Sequence, residues 1–252
     1  MITTKSKTVA TILGVTAITL STITTSLQAQ APMVDPAAVK ILERMTDSLG
    51  GLKKFSVHTQ TTYEDELDSG QRVDYDVSAS VQINRPDKLH SNRTGELVSQ
   101  EFYYDGKTLS LFNRNEKVYA TNPAPASLDE MFDYAREELD LIIPASDLVY
   151  SYAFSLLTEN ITSAIVVGKA DINGITCDHL AFSRPDVDFQ LWVESNRQAL
   201  PCKYVVTDTT TPGRVSISTV MGDWKIDPAT DDDQFKFIEP DDTNEIDFMP
   251  LN

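Results

Sequence analysis

Histidine and cysteine are scarce in this chain, and basic residues are outnumbered. Its 252 residues hold three His, two Cys, and 21 Lys and Arg against 38 Asp and Glu, a formal net charge of −17. His58, His90 and His179 stand apart, with no His-x-x-x-His spacing. His179 and Cys177 make at most a pair, short of the three or four ligands that zinc needs. Gly-x-Ser-x-Gly, Ser-x-x-Lys and phosphate-loop patterns are missing, so no nucleophile–base set or nucleotide cradle is visible. The acidic clusters Glu64-Asp65-Glu66, Asp231-Asp232-Asp233 and Asp241-Asp242 lack the ligand spacing and central Gly of a calcium loop, and read as solvated loop charge. No catalytic residue, metal or cofactor is therefore expected, and a hydrolase is disfavoured. A chain this acidic repels nucleic acid and anionic lipid surfaces at long range. After Pro32 no segment has the roughly 20 mainly apolar residues of a membrane span.

What is present begins with a leader. Lys5 and Lys7 precede an apolar, threonine-rich stretch from Val9 to Leu20, and Ala29-Gln30-Ala31 offers small residues where a signal peptidase reads. Residues 1–31 are expected to be a cleaved signal peptide, and 32–252 a single exported domain. Removal of Lys5 and Lys7 with the leader takes the net charge from −17 to −19.

The mature chain opens with Asp35-Pro36, a cap followed by a residue suited to a first helical turn. Ala38, Leu42, Met45, Leu49 and Leu52 then form one apolar stripe that ends at Gly50-Gly51. Alternation of period two follows, clearest over Val73, Tyr75, Val77, Ala79, Val81 and Ile83, whose other face carries Asp74, Asp76, Ser78, Ser80 and Gln82. One wet face favours antiparallel pairing. Further strands are expected near 88–94 and 97–104, and Asp105-Gly106 marks a hairpin. Asn122-Pro123-Ala124-Pro125 stops the sheet. Ser127 with Glu130 caps a helix lined by Leu128, Met131, Phe132, Ala135 and Leu139. Pro144 breaks it, and Ser146 is expected to cap a second helix with Leu148, Tyr152 and Leu156 on its stripe. Strands resume at about 161–172, 175–183, 188–195, 201–208 and 213–223, with turns at Asn173-Gly174 and Pro212-Gly213, and a last short strand carries Phe235 and Phe237. The class is mainly β with α (α+β): a curved antiparallel sheet of about eleven strands, covered by an N-terminal helix and two inserted helices. Trp192, alternating with Gln190 and Glu194, faces away from Leu191.

Cys177 and Cys202 can pair in an oxidising compartment. In a simple three-strand meander they sit two strands apart, about 10 Å at about 4.8 Å per strand step. A disulfide needs Cα atoms within about 7 Å. A bulge or a sharply curled sheet would close the gap; otherwise the two are small buried hydrophobes.

Three patches carry a resemblance to a known superfamily: the Tyr-Tyr-Asp-Gly-Lys-Thr-Leu hairpin at 103–109, Ile143-Pro144-Ala145-Ser146-Asp147-Leu148, and the tail from Phe235-Lys236-Phe237-Ile238-Glu239-Pro240 to Ile246 and Phe248. With the element order, the chain resembles the periplasmic lipoprotein carrier superfamily, LolA/LolB-like. It is more closely similar to a family of predicted periplasmic proteins of unknown function placed near it. The resemblance implies a half-open barrel with helices over its concave face and an apolar cavity for acyl chains or an apolar peptide. Lipoprotein carriers close that cavity with an interior Arg. Arg72, Arg85 and Arg93 all read as near turns or on polar faces, so no equivalent is assigned.

The cavity candidates are Val57, Tyr75, Val77, Phe102, Tyr104, Leu111, Leu191 and Val193 from the sheet, and Met131, Phe132, Leu148, Tyr152 and Leu156 from the inserted helices. A wide curved sheet under short helices leaves room for a ligand. The expected function is a soluble periplasmic binding or carrier protein for an apolar ligand: an acyl chain, lipid or lipidated molecule. The alternative is an envelope regulatory or sensor protein of the same fold, acting through contacts with an envelope protein partner.

Overall fold

The computed structural model describes residues 34–248 apart from 97 and 212. The expected leader at 1–31, Pro212 of the expected turn and Leu97 at the start of the strand expected near 97–104 lie outside the described residues. Helix α1 (Pro36–Gly51) is capped by Asp35, whose Oδ1 accepts from the Ala37 N–H at 2.8 Å. It buries Ala38, Leu42, Met45 and Leu49, the expected stripe.

Six strands follow as a meander: β1 (Lys54–Glu66), β2 (Arg72–Asn84), β3 (Lys88–Gly95), β4 (Ser99–Tyr104), β5 (Thr108–Asn113) and β6 (Val118–Pro123). Helix α2 (Leu128–Glu137) comes next; its Ser127 Oγ accepts from the Glu130 N–H and donates to the Glu130 carboxylate at 2.9 Å. The second expected helix divides. Ser146–Leu148 is a single 3-10 turn, and α3 is only Ala153–Thr158. The chain between them is taken up by side-chain bonds to α2. The Tyr150 phenol donates to Asp133 at 2.8 Å, and the Ser151 N–H donates to Asp129 at 3.0 Å.

A second meander closes the order: β7 (Ser163–Ile172), β8 (Ile175–Ser183), β9 (Val187–Glu194), β10 (Pro201–Asp208) and β11 (Ser216–Ile226). A two-residue strand, β12 (Asn244–Glu245), lies parallel to β6. The sheet runs β12-β6-β5-β4-β3-β2-β1-β11-β10-β9-β8-β7, so β1 is central and joins the two meanders through thirteen residue pairs with β2 and eight with β11. All pairings but β12–β6 are antiparallel. Twelve strands thus replace about eleven.

The tail departs from its expected strand. Asp231 caps a 3-10 turn, Asp232–Phe235, which buries Phe235 completely. Phe237 packs on Tyr103, Phe112 and Tyr119 with ring centroids 5.6, 6.0 and 4.9 Å away. Two aromatics at alternate positions meant one-sided packing, not a strand; side-chain capping by Asp231 competes with sheet pairing.

The structure joins Cys177 and Cys202 as a disulfide with Cα atoms 6.8 Å apart. Cys177 pairs with Glu194 on β9, while the β9–β10 register slips between Pro201 and Lys203. That bulge moves Cys202 within reach of a strand that is not its neighbour.

Candidate functional site

Concave-face side chains arrive in rows, because antiparallel register places alternate residues of neighbouring strands side by side. One row crosses Ile83, Leu89 and Tyr104; the next crosses Val81, Ser91 and Phe102; the third pairs Ala79 with Arg93. Exposure rises along the rows: Ile83 and Leu89 are buried, whereas Arg93 and Tyr63 are half-buried. Phe132 of α2 and the segment Ile143–Ser146 with Val149 cover this part of the sheet.

Between sheet and cover lies a cavity. It holds about 90 Å3 for the centres of water molecules and about 680 Å3 of atom-free space, part of it open to solvent. Val77, Ala79, Val81, Ile83, Leu89, Phe102 and Phe132 form its apolar wall, and Thr59, Thr61, Ser91, Tyr63 and Arg93 its polar points. Larger hollows occur beside Arg85 and on the convex face around His58 and His90, but these are broader, more open and about evenly polar and apolar.

The sequence candidates divide. Val77, Phe102 and Phe132 line the cavity. Val57, Tyr104, Met131, Leu148, Leu191 and Val193 belong to the packed core, and Leu111 packs against its border. The phenol of Tyr104 donates to the Pro125 carbonyl. Tyr75, opposite Tyr63 on β2, is half-buried. Tyr152 is 45% exposed, because the broken helix turns Tyr150 inward instead. Leu156 lines a separate small hollow with Asp147, Arg184 and Tyr204. Most of the concave face is therefore filled by α1, α2 and α3, and space remains over β1–β4.

Arg93 is a correction. It sits on the concave face, and its Nη2 donates to the Tyr63 hydroxyl at 3.1 Å. Ser91 and Arg93 share that face with Leu89, so β3 carries too little apolar alternation to reveal which way Arg93 points. Burial raises the Tyr63 pKa, and the Arg93 charge opposes the shift. Arg72 pairs with Glu64 at 3.5 Å, and Arg85 is half-buried near Asp129.

The cover is held by a second polar contact. Tyr204 of β10 is fully buried and its hydroxyl donates to Asp147 Oδ2 at 3.4 Å. Burial pushes the Asp147 carboxyl above the ordinary carboxylate range, against the pull of Arg136, Tyr204 and Arg184. The histidines have partners of other kinds: His58 bonds Ser78, His90 stacks on Tyr103, and His179 stacks on Trp192 at 4.0 Å, on the face opposite Leu191. Among the described residues no three His, Cys, Asp or Glu gather as metal ligands, and no helix is long and apolar enough to cross a membrane.

Residues 38–249 match the family described as predicted periplasmic protein (DUF2092), and the chain belongs to it. No curated protein matches it in sequence. Among solved structures it is similar to LprF from Mycobacterium bovis, with 15% identity and a TM-score of 0.50 over 80% of this chain and 97% of that one. It is also similar to a LolA superfamily protein from Nitrosomonas europaea, with 13% identity and a TM-score of 0.38 over 79% and 97% of the two chains. The MucA/MucB complex of Pseudomonas aeruginosa matches with 13% identity and a TM-score of 0.43, over 80% of this chain and 61% of that one. The open, helix-covered half-barrel is the fold that LprF also has.

Proposed function

We propose, with membership of a predicted periplasmic family as the premise, that this protein binds or carries an apolar ligand in the periplasm. The ligand is an acyl chain, a lipid or a lipidated molecule, seated between β1–β4 and the cover from Phe132 to Val149. The observation that carries this reading is the cavity itself, a volume of about 90 Å3 walled mainly by apolar side chains with a few polar points toward one end. Apolar walls with a few placed polar groups are the makeup of a small-molecule site. Burial of the ligand's apolar surface supplies the driving force, at about 25 cal/mol per Å2 before ordering costs. No covalent step is required of the protein. In its present form the slot is narrow, so entry of a whole acyl chain requires the Ile143–Val149 segment to rise.

Native mass spectrometry of protein purified from a periplasm tests the proposal, together with uptake of a fluorescent fatty acid by delipidated protein. Co-purified lipid and saturable uptake at one site are expected. A lipid-free protein that takes up no fatty acid, but is recovered with an envelope membrane protein, overturns the carrier reading in favour of a protein-binding sensor.

A further inference from the structure

We infer that the cavity selects an anionic amphiphile, with the acid group on Arg93 and Tyr63 and the tail running toward Leu89; this rests on the cavity being the ligand site. Five other arginines, Arg44, Arg72, Arg114, Arg136 and Arg214, each have a carboxylate within ion-pair distance. Arg93 has none among the described residues, nor have Arg85, Arg184 and Arg197, but of these four only Arg93 lines the slot. Its hydrogen-bond partner is a neutral phenol, Tyr63, at 3.1 Å. A guanidinium carries five donors, so one such bond leaves most of its capacity unused. A half-buried cation in an apolar wall without a counter-ion is unfavourable on its own. A ligand carboxylate or phosphate supplies what is missing, and Arg matches either geometry with two parallel hydrogen bonds. The Tyr63 hydroxyl, already accepting from Arg93, keeps its own proton free to donate to the same acid group.

Position agrees with charge. Arg93 lies four residues from Leu89 along β3, about 13 Å at about 3.3 Å per residue. Over that length the neighbouring rows change from Ala79 beside Arg93, through Val81 and Phe102, to the buried Ile83 and Leu89. The polar, more exposed end is the mouth and the apolar end is closed. A head-and-tail molecule fits that gradient; a uniformly apolar one leaves Arg93 dry and unpaired. Free acids without a tail lack the contacts deeper in the slot.

The test is displacement of a bound fluorescent fatty acid from delipidated protein by palmitate, methyl palmitate and palmitoyl lysophosphatidate, each against native protein and Arg93→Met. Native protein is expected to bind palmitate or the lysophosphatidate at least about tenfold more tightly than the methyl ester, a difference of about 1.4 kcal/mol. The tighter of the two acids names the head as carboxylate or phosphate. Arg93→Met should erase the preference by weakening binding of the acids, and a cooperative thermal melt at the native temperature reports that the variant is folded; Arg93→Lys should keep part of the preference. Inorganic phosphate should not compete, and competition by it would overturn the amphiphile in favour of a tail-less anion. Equal affinity of native protein for acid and ester overturns the head site and leaves the apolar cavity standing. Failure of native protein to bind any of the three overturns the cavity reading itself.

Discussion

Ala79 offers the sharpest separation of cavity from core. It is 8% exposed, faces the slot beside Arg93, and contributes one methyl group to the wall. Phe132 would seem the obvious target, but it is also packed on Tyr150 with ring centroids 5.5 Å apart, so its truncation removes core and wall together at about 3–5 kcal/mol. Ala79→Leu instead adds three carbons to the slot. The slot's volume of about 90 Å3 is enough to take them. Each buried carbon contributes about 0.8 kcal/mol, so the gain is at most about 2.4 kcal/mol. In a domain of this size that raises Tm by up to about 5–10 °C. The same carbons occupy the ligand's place, so fatty-acid affinity should fall by at least about tenfold, near 1.4 kcal/mol. Scanning calorimetry and titration with a fluorescent fatty acid read the two quantities on one sample. Packing too tight for the added carbons would cost about 1–3 kcal/mol and lower Tm, which refutes the empty slot. A variant that is more stable and binds as the native protein does refutes the slot as the binding site.

Other expectations are as direct. The disulfide closes a separation of 25 residues, so reduction should cost about 3.5 kcal/mol by loop entropy and lower Tm by about 7–14 °C; a loss under about 1 kcal/mol refutes that account. Met45→Ala empties a fully buried site on α1 and should cost about 2–5 kcal/mol in urea unfolding with m unchanged. Asp147 holds its proton more tightly folded than unfolded, so its contribution is complete below its ordinary value of 3.8 and is lost as pH rises through the native value. Asp147→Asn should therefore gain stability relative to native protein as pH climbs from about 4 to about 7, and parallel Tm curves for the two proteins would refute the buried-carboxyl reading.

How much of this was legible depended on whether a residue's chemistry matched its burial. The eleven-residue alternation around Val77 announced β2, and the stripe from Ala38 to Leu49 announced α1, because both put apolar residues where the core is. The end of the cavity that carries its polarity was hidden. Thr59 and Thr61 follow the alternation of β1 from Val57 to Tyr63, whereas Ser91 and Arg93 line the concave face although their type points outward. Only register against Ala79 and Val81 reveals them. The second inserted helix failed for a different reason. Leu148, Tyr152 and Leu156 had helical spacing, yet hydrogen bonds from Tyr150 and Ser151 to α2 outweighed the short helix that spacing would have continued. The Cys pair could be judged only with the bulge at Cys202, a deviation that composition does not signal.

The disulfide has a consequence for mechanics. It staples β8 to β10, in the half of the sheet on the far side of β1 from the slot. One wing of the molecule is cross-linked and weighted by α1; the other, which carries the slot, is restrained by hydrogen bonds and packing alone. Amide exchange on β2–β4 should outpace that on β8–β10 in oxidised protein, and reduction should bring the two wings closer together in rate.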